Sequence, residues 1–272
     1  MKMDVVRRML GGGAFGCGFL AYAIFEGTAF PDVDVLWAIP LAIIAAILGG
    51  LFILGAGKLG KLAEQRTKKL KNFAEQMGME FSAKGDSALL ESLSAFDLFW
   101  EADITNVLSG DSEQLGYGEA FEVTVLDCSY VRSASVLERP LGFGGVNKTI
   151  VQTVICFHSP QLNLPDFSMR PEEWHHKIGS KLGYQDIDFE SHPTAVEFSK
   201  KYLLRGRGEQ KIRALFTDEV LAFFAGQDKL CVEGFSSHLC FYRAFKLIEP
   251  EDIPAFMKEG FEVFRLFTQE QN

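Results

Sequence analysis

The 272-residue chain reads as an α+β protein with an N-terminal transmembrane helical hairpin, a basic helical stalk, and one soluble domain of mainly antiparallel sheet with packed helices. Three observations carry this expectation. Two uncharged runs lie near the N-terminus, six basic residues crowd the segment after them, and the remainder mixes β-branched strand patterns with helical periods. The hydrophobic content of 47% and mean hydropathy of +0.08 are high for a wholly soluble chain, and the excess is confined to residues 1–57.

The first run, "MLGGGAFGCGFLAYAIF" from Met9 to Phe25, predicts a helix over about 9–28, and "VLWAIPLAIIAAILGGLFILGAG" predicts a second over 35–57. A helix needs about 20 apolar residues to cross a hydrocarbon core about 30 Å thick. The connection "EGTAFPDVD" is acidic, whereas Lys2, Arg7 and Arg8 precede the hairpin and the stalk follows it. Basic residues stay on the cytoplasmic side, which predicts a multi-pass membrane protein with both termini cytoplasmic and the lipid bilayer as a partner. The competing reading is a cleaved signal peptide over residues 1–23, with Ala21 and Ala23 at the cleavage site, but five glycines weaken its apolar core. Gly12 and Gly16, and the stripe Ala38, Ala42, Ala46 and Gly50, are the candidate helix-packing residues, because small side chains let backbones approach.

Residues 58–78 predict a basic amphipathic stalk helix ended by Gly78. Lys58, Lys61, Arg66, Lys68, Lys69 and Lys71 would face an anionic surface, at about 1 kcal/mol per basic group, so they are the candidate lipid head-group residues. Beyond them the balance reverses. Residues 72–272 hold 18 basic and 31 acidic residues, the opposite of a surface that neutralises phosphates, so nucleic acid is excluded as a partner.

The domain over 79–272 opens with a helix at "DSALLESLSAF", capped by Asp86, that buries Leu89, Leu90, Leu93 and Phe96. "ITNVLSG", "AFEVTVLDCSYV" and "KTIVQTVICFH" are strands by their β-branched and aromatic content. "RPEEWHHKIGSKLG" has helix end signals, with Pro171 first and Gly183 last. "GEQKIRALFTDEVLAFFAG" is one helix or two, with Thr217 and Asp218 as the restart. "KLCVEG" and "SHLCFYRAFKLI" predict a hairpin, and a helix from Pro250 closes the chain, presenting Ile253, Phe256, Met257, Gly260, Phe264 and Phe267 to a core.

In "DIDFESH", Asp186, Asp188, Glu190 and His192 would share one face of a strand, with Ile187 and Phe189 on the other. Three carboxylates and an imidazole are the chemistry of a divalent-metal site. The same alternation also describes a half-buried strand, and neighbouring carboxylates lie about 7 Å apart along it. The cysteines form no CxxC pair, and Cys128, Cys156, Cys231 and Cys240 fall in apolar strands as small hydrophobes. His175 and His176 are consecutive and cannot chelate together from a helix, and "GFGG" lacks the Lys-Ser/Thr of a phosphate loop.

With "NVLSG", "QTVICF", "LPDFSMRPE" and "QDIDFESHP", residues 60–267 resemble a group of bacterial two-helix membrane proteins with a cytoplasmic α+β domain of unknown function. That resemblance implies a bacterial protein anchored in the cell (inner) membrane and supplies no catalytic residue. No cofactor is expected. The expected role is a noncatalytic, membrane-anchored module that binds a protein partner or forms a homo-oligomer. A metal-assisted hydrolase at 186–192 and an anionic-lipid sensor through the stalk are the alternatives.

Overall fold

The computed structural model describes residues 35–116, 120–132, 148–172 and 183–268. Two compact units are distinguished, residues 1–69 and 70–272. In the first, the described part is helix. Val35–Met77 form a single helix, α1, of 43 residues, so the expected second membrane helix and the stalk are one uninterrupted element. Gly78 ends it with φ of 69°, a left-handed conformation that glycine adopts without a Cβ clash.

Among the described residues no helix is long and apolar enough to cross a membrane. This corrects the expected transmembrane hairpin, the membrane assignment and the multi-pass inner-membrane location with cytoplasmic termini. The expectation rested on the local excess of hydrophobic content, the length of the two runs and their lack of charge. Gly49, Gly50, Gly55 and Gly57 add length to the 35–57 run and almost no apolar surface. The expected helix over 9–28 lies outside the described residues, and Gly12 and Gly16 lie there with it.

The second unit is built on one antiparallel sheet. Its described strands are β1 (Glu80–Lys84), β2 (Asp103–Asp111), β3 (Glu122–Arg132), β4 (Lys148–His158), β5 (Leu164–Pro171), β6 (Gln185–Asp186), β7 (Tyr202–Gly206), β8 (Leu230–Ser236) and β9 (His238–Arg243). Their spatial order is β1-β2-β3-β4-β9-β8-β5-β7-β6. The first four strands follow one another in sequence as a meander. The centre of the sheet is therefore a seam between β4 and β9, where strands distant in the chain meet. Strands β3 and β4 pair along their whole length, from Glu122 opposite His158 to Arg132 opposite Lys148. Their Val, Ile, Thr and aromatic side chains suit a pleated surface.

Alternation along each strand divides the apolar residues between two faces. On the first face Val125, Ile155, Phe157, Met169, Val232 and Phe241 meet the helices. These are the C-terminal turns of α1 through Leu70 and Ala74, then α3 (Pro193–Lys201), α4 (Glu209–Leu215), α5 (Asp218–Ala225) and α6 (Ile253–Thr268). Helix α6 buries Ile253, Phe256, Met257, Phe261, Phe264 and Phe267 along one stripe. Each fully buried large side chain contributes about 1.5–3 kcal/mol of transfer free energy. Gly260 lets this helix approach closely: a Cβ there would lie 3.1 Å from both Ile155 and Phe241.

On the second face Leu126, Cys128, Val154, Cys156, Cys231, Cys240 and Tyr242 pack under a short helix, α2 (Ser87–Ser92), and the 3-10 turn Asp97–Phe99. Asp86 caps α2 by accepting a hydrogen bond from the Leu89 N–H at 2.8 Å. Leu93 and Phe96 are buried beneath it, while Leu90 is 41% exposed and departs from the expected apolar stripe.

Candidate functional site

The acidic stretch is a strand for two residues only. Gln185 and Asp186 pair with Gly206 and Arg205, and the ladder then ends. The burial alternation persists, with Ile187 and Phe189 inside and Asp186, Asp188 and Glu190 exposed. The side chains nevertheless go to separate partners. Asp186 forms a two-point ion pair with Arg205, its register neighbour. Arg213 donates to the Asp188 carbonyl at 2.9 Å and lies over the Phe189 ring.

His192 is the N-cap of α3. Its Nδ1 accepts from the Ala195 N–H at 3.3 Å, while Nε2 lies 2.8 Å from Asp218 Oδ1. Among the described residues no group of three or more His, Cys, Asp or Glu is placed to hold a metal ion.

Of the six basic residues on α1, Lys58, Lys61, Lys68, Lys69 and Lys71 are exposed and Arg66 is half-buried. Lys71 stands 3.9 Å from Glu75, one turn on, where a surface pair is worth a few tenths of a kcal/mol. Of the expected packing stripe, Ala46 and Gly50 are exposed. Ala38 and Ala42 lie on α1, and nothing further is described of their side chains.

The sheet itself carries two polar clusters that the periodicity of the chain does not announce. On the second face, Arg170 of β5 donates to Glu233 Oε1 of β8 at 2.7 Å, and the Tyr242 hydroxyl of β9 donates to the same oxygen at 2.8 Å. The Arg170 and Glu233 side chains are 12% and 3% exposed, so the pair is held out of water. Burial opposes the Arg170 charge, but Tyr242, Glu233 and Cys231 hold its pKa above the ordinary value. Burial pushes the Tyr242 hydroxyl well up, so it stays a neutral donor. Arg170 Nε has no hydrogen-bond partner.

On the first face, a β-bulge in β2 places Asn106 at φ of 52°. Its amide donates to Asp127 Oδ2 at 2.8 Å, and the Thr153 hydroxyl donates to Asp127 Oδ1 at 3.0 Å. Thr153 also accepts the Ile248 N–H at 3.0 Å, which ties the segment before α6 to the sheet. The signal that would have found both clusters is an acid inside an apolar strand pattern, Asp127 in "VTVLDCSYV" and Glu233 in "LCVEGF". A carboxylate at such a position is retained only with partners.

The four described cysteines are buried. Burial raises Cys128 and Cys231 to about 12, which keeps both as neutral thiols. At the end of the seam His158 and His238 stack with ring centroids 4.5 Å apart. Burial holds His238 below its ordinary value, His158 adds to the depression, and Glu122 opposes it.

A different kind of surface runs along α1. Ile43, Ile47 and Leu54 are 54%, 56% and 73% exposed, and Ile44, Leu59 and Leu62 are exposed on other sides of the same helix. The spacing of Ile43, Ile47 and Leu54, four and seven residues, puts these three within about 40° of one another around the helix. The exposed Ala46 and Gly50 border the same stripe.

The described residues comprise an α+β domain on one antiparallel sheet with internally paired polar groups, and a helix with exposed apolar residues. No family model matches the chain, and no curated protein matches it. Among solved structures, the crystal structure of the mycobacterial trehalose monomycolate transport factor A, TtfA, is similar at 10% identity and a TM-score of 0.47. That similarity covers 74% of this chain and 92% of that one.

Proposed function

We propose that the chain is a noncatalytic binding module that self-associates, with the exposed stripe on α1 as its contact. The observation that carries this reading is the row Ile43, Ile47 and Leu54, the exposed aliphatic side chains of α1 that line up at heptad spacing, while Ile44, Leu59 and Leu62 are exposed on its other sides. Exposed apolar groups clustered in this way mark an interaction surface, whereas scattered ones need no explanation. Their spacing is that of a coiled-coil seam, in which a second copy of the helix fills the gaps, and the small residues at 46 and 50 permit close approach. The internal pairing of Arg170, Glu233, Asp127 and Asp186 supports a binding role over a catalytic one, because none of these groups is left to act on a substrate.

Sedimentation equilibrium of the full chain tests the proposal. The wild type is expected to be a multimer whose mass rises with concentration, and the double variant Ile47→Lys, Leu54→Lys is expected to be a monomer with unchanged circular dichroism. A wild-type chain that remains monomeric at high concentration overturns it.

A further inference from the structure

The seam between β4 and β9 holds a pair of thiols that the proposed association does not use. Cys156 and Cys240 are direct register partners, and their sulfur atoms are 2.6 Å apart. The hydrogen-bond phase of the ladder makes this position favourable for a covalent bridge. Ser159 donates to the Ser237 carbonyl at 3.0 Å, which makes 159 and 237 a hydrogen-bonded pair. Such pairs alternate with non-hydrogen-bonded ones along an antiparallel ladder. Counting back, 158 with 238 and 156 with 240 are therefore non-hydrogen-bonded pairs. There the Cα atoms approach to about 4.5 Å and the side chains lie closest. A disulfide needs a Cα separation of about 4.4–6.8 Å, so the bridge closes without moving either strand.

We propose that Cys156 and Cys240 are a site of reversible covalent modification, forming a cross-strand disulfide with hydrogen peroxide as the oxidant. Cys156 is the attacking sulfur, because it is 5% exposed while Cys240 is fully buried. Its thiolate attacks one peroxide oxygen, the O–O bond breaks, and a sulfenic acid forms as hydroxide leaves and is protonated to water. The Cys240 sulfur then attacks the Cys156 sulfur. The S–S bond forms, the S–O bond breaks, and the departing hydroxyl takes the Cys240 proton to leave as a second water. Two thiols have lost two hydrogens, and one peroxide has become two waters.

Cys240 lies against Cys156 before oxidation, so closure precedes further oxidation of the sulfenic acid. The product ties β4 to β9 between positions 84 residues apart and clamps the middle of the sheet. A small-molecule dithiol reverses the bridge by exchange.

The test uses the reduced full-length protein, treated with hydrogen peroxide and then alkylated under denaturing conditions. The expected result is loss of the mass of two hydrogens, with a cross-link between the peptides carrying Cys156 and Cys240 that dithiothreitol removes. The thermal midpoint should rise on oxidation and return on reduction. Full alkylation of both cysteines after peroxide, recovery of Cys156 as a sulfinic acid, or bridges confined to other cysteines would each overturn the proposal.

Discussion

Glu233 shows what a single buried carboxylate does in this sheet. It accepts from Arg170 and Tyr242 together, and both donors depend on its charge. Glu233→Gln keeps the shape and leaves the buried guanidinium without its counter-ion, which typically costs about 3–5 kcal/mol. Urea unfolding should register that loss as a lower midpoint at constant slope, and an unchanged midpoint would refute the role of the pair.

His238, stacked on His158, carries a pH dependence. With His238 held below its ordinary value of 6.5, the unfolded chain binds its proton more readily than the folded one. Stability is therefore unaffected above that value and falls as pH drops through it. The thermal midpoint should decline between about pH 7.5 and pH 5, and His158→Gln should flatten the decline. Residues of this kind were only partly legible in the sequence. An acid within a strand pattern says that a partner exists, but the partner of Glu233 at Arg170 is 63 positions away and only the strand order identifies it.

At the scale of elements, legibility followed local chemistry. Asp86 caps α2 as expected, and Thr217 accepts from the Val220 N–H at the start of α5, which separates it from α4. The hairpin of β8 and β9 and the stripe of α6 also follow directly from the apolar pattern. Pro171 went the other way. It closes β5 opposite Tyr202, and Glu172 directly after it is in 3-10 conformation, so strand pairing with β7 reaches the residue expected to be first in the helix. Most of the expected helix over 171–183 lies outside the described residues.

Helix α3 and strand β7 had no expectation at all, since "PTAVEFSKKYLLRG" changes period in mid-stretch. Strand β7 also sets a steric limit. A Cβ at Gly206 would collide with the Asp166 carbonyl and Ile212, so Gly206→Ala must move backbone. Overpacking of this kind costs about 1–3 kcal/mol, to be measured as a lower unfolding midpoint.

For the molecule as a whole, strand content was readable and strand order was not. The meander of β1 to β4 needs only neighbours in sequence, whereas inserting β9 and β8 between β4 and β5 is a long-range choice that no local pattern encodes. The N-terminal segment shows the converse limit. Its uncharged residues fixed a helix and did not fix its surroundings, and the same isoleucines support a contact with a second copy. The expected monomerisation of the Ile47→Lys, Leu54→Lys chain belongs at this scale, because it changes the assembly and leaves the sheet alone.

The borders of that sheet bear on its solubility. Among the described strands one border is β6, only two residues long, and the other is β1, whose Glu80 and Lys84 are exposed. A stray strand docking on the first finds too few backbone groups to hold it, and on the second it must accommodate fixed charges. Fibre growth by adding strands edge to edge is thereby discouraged at both rims.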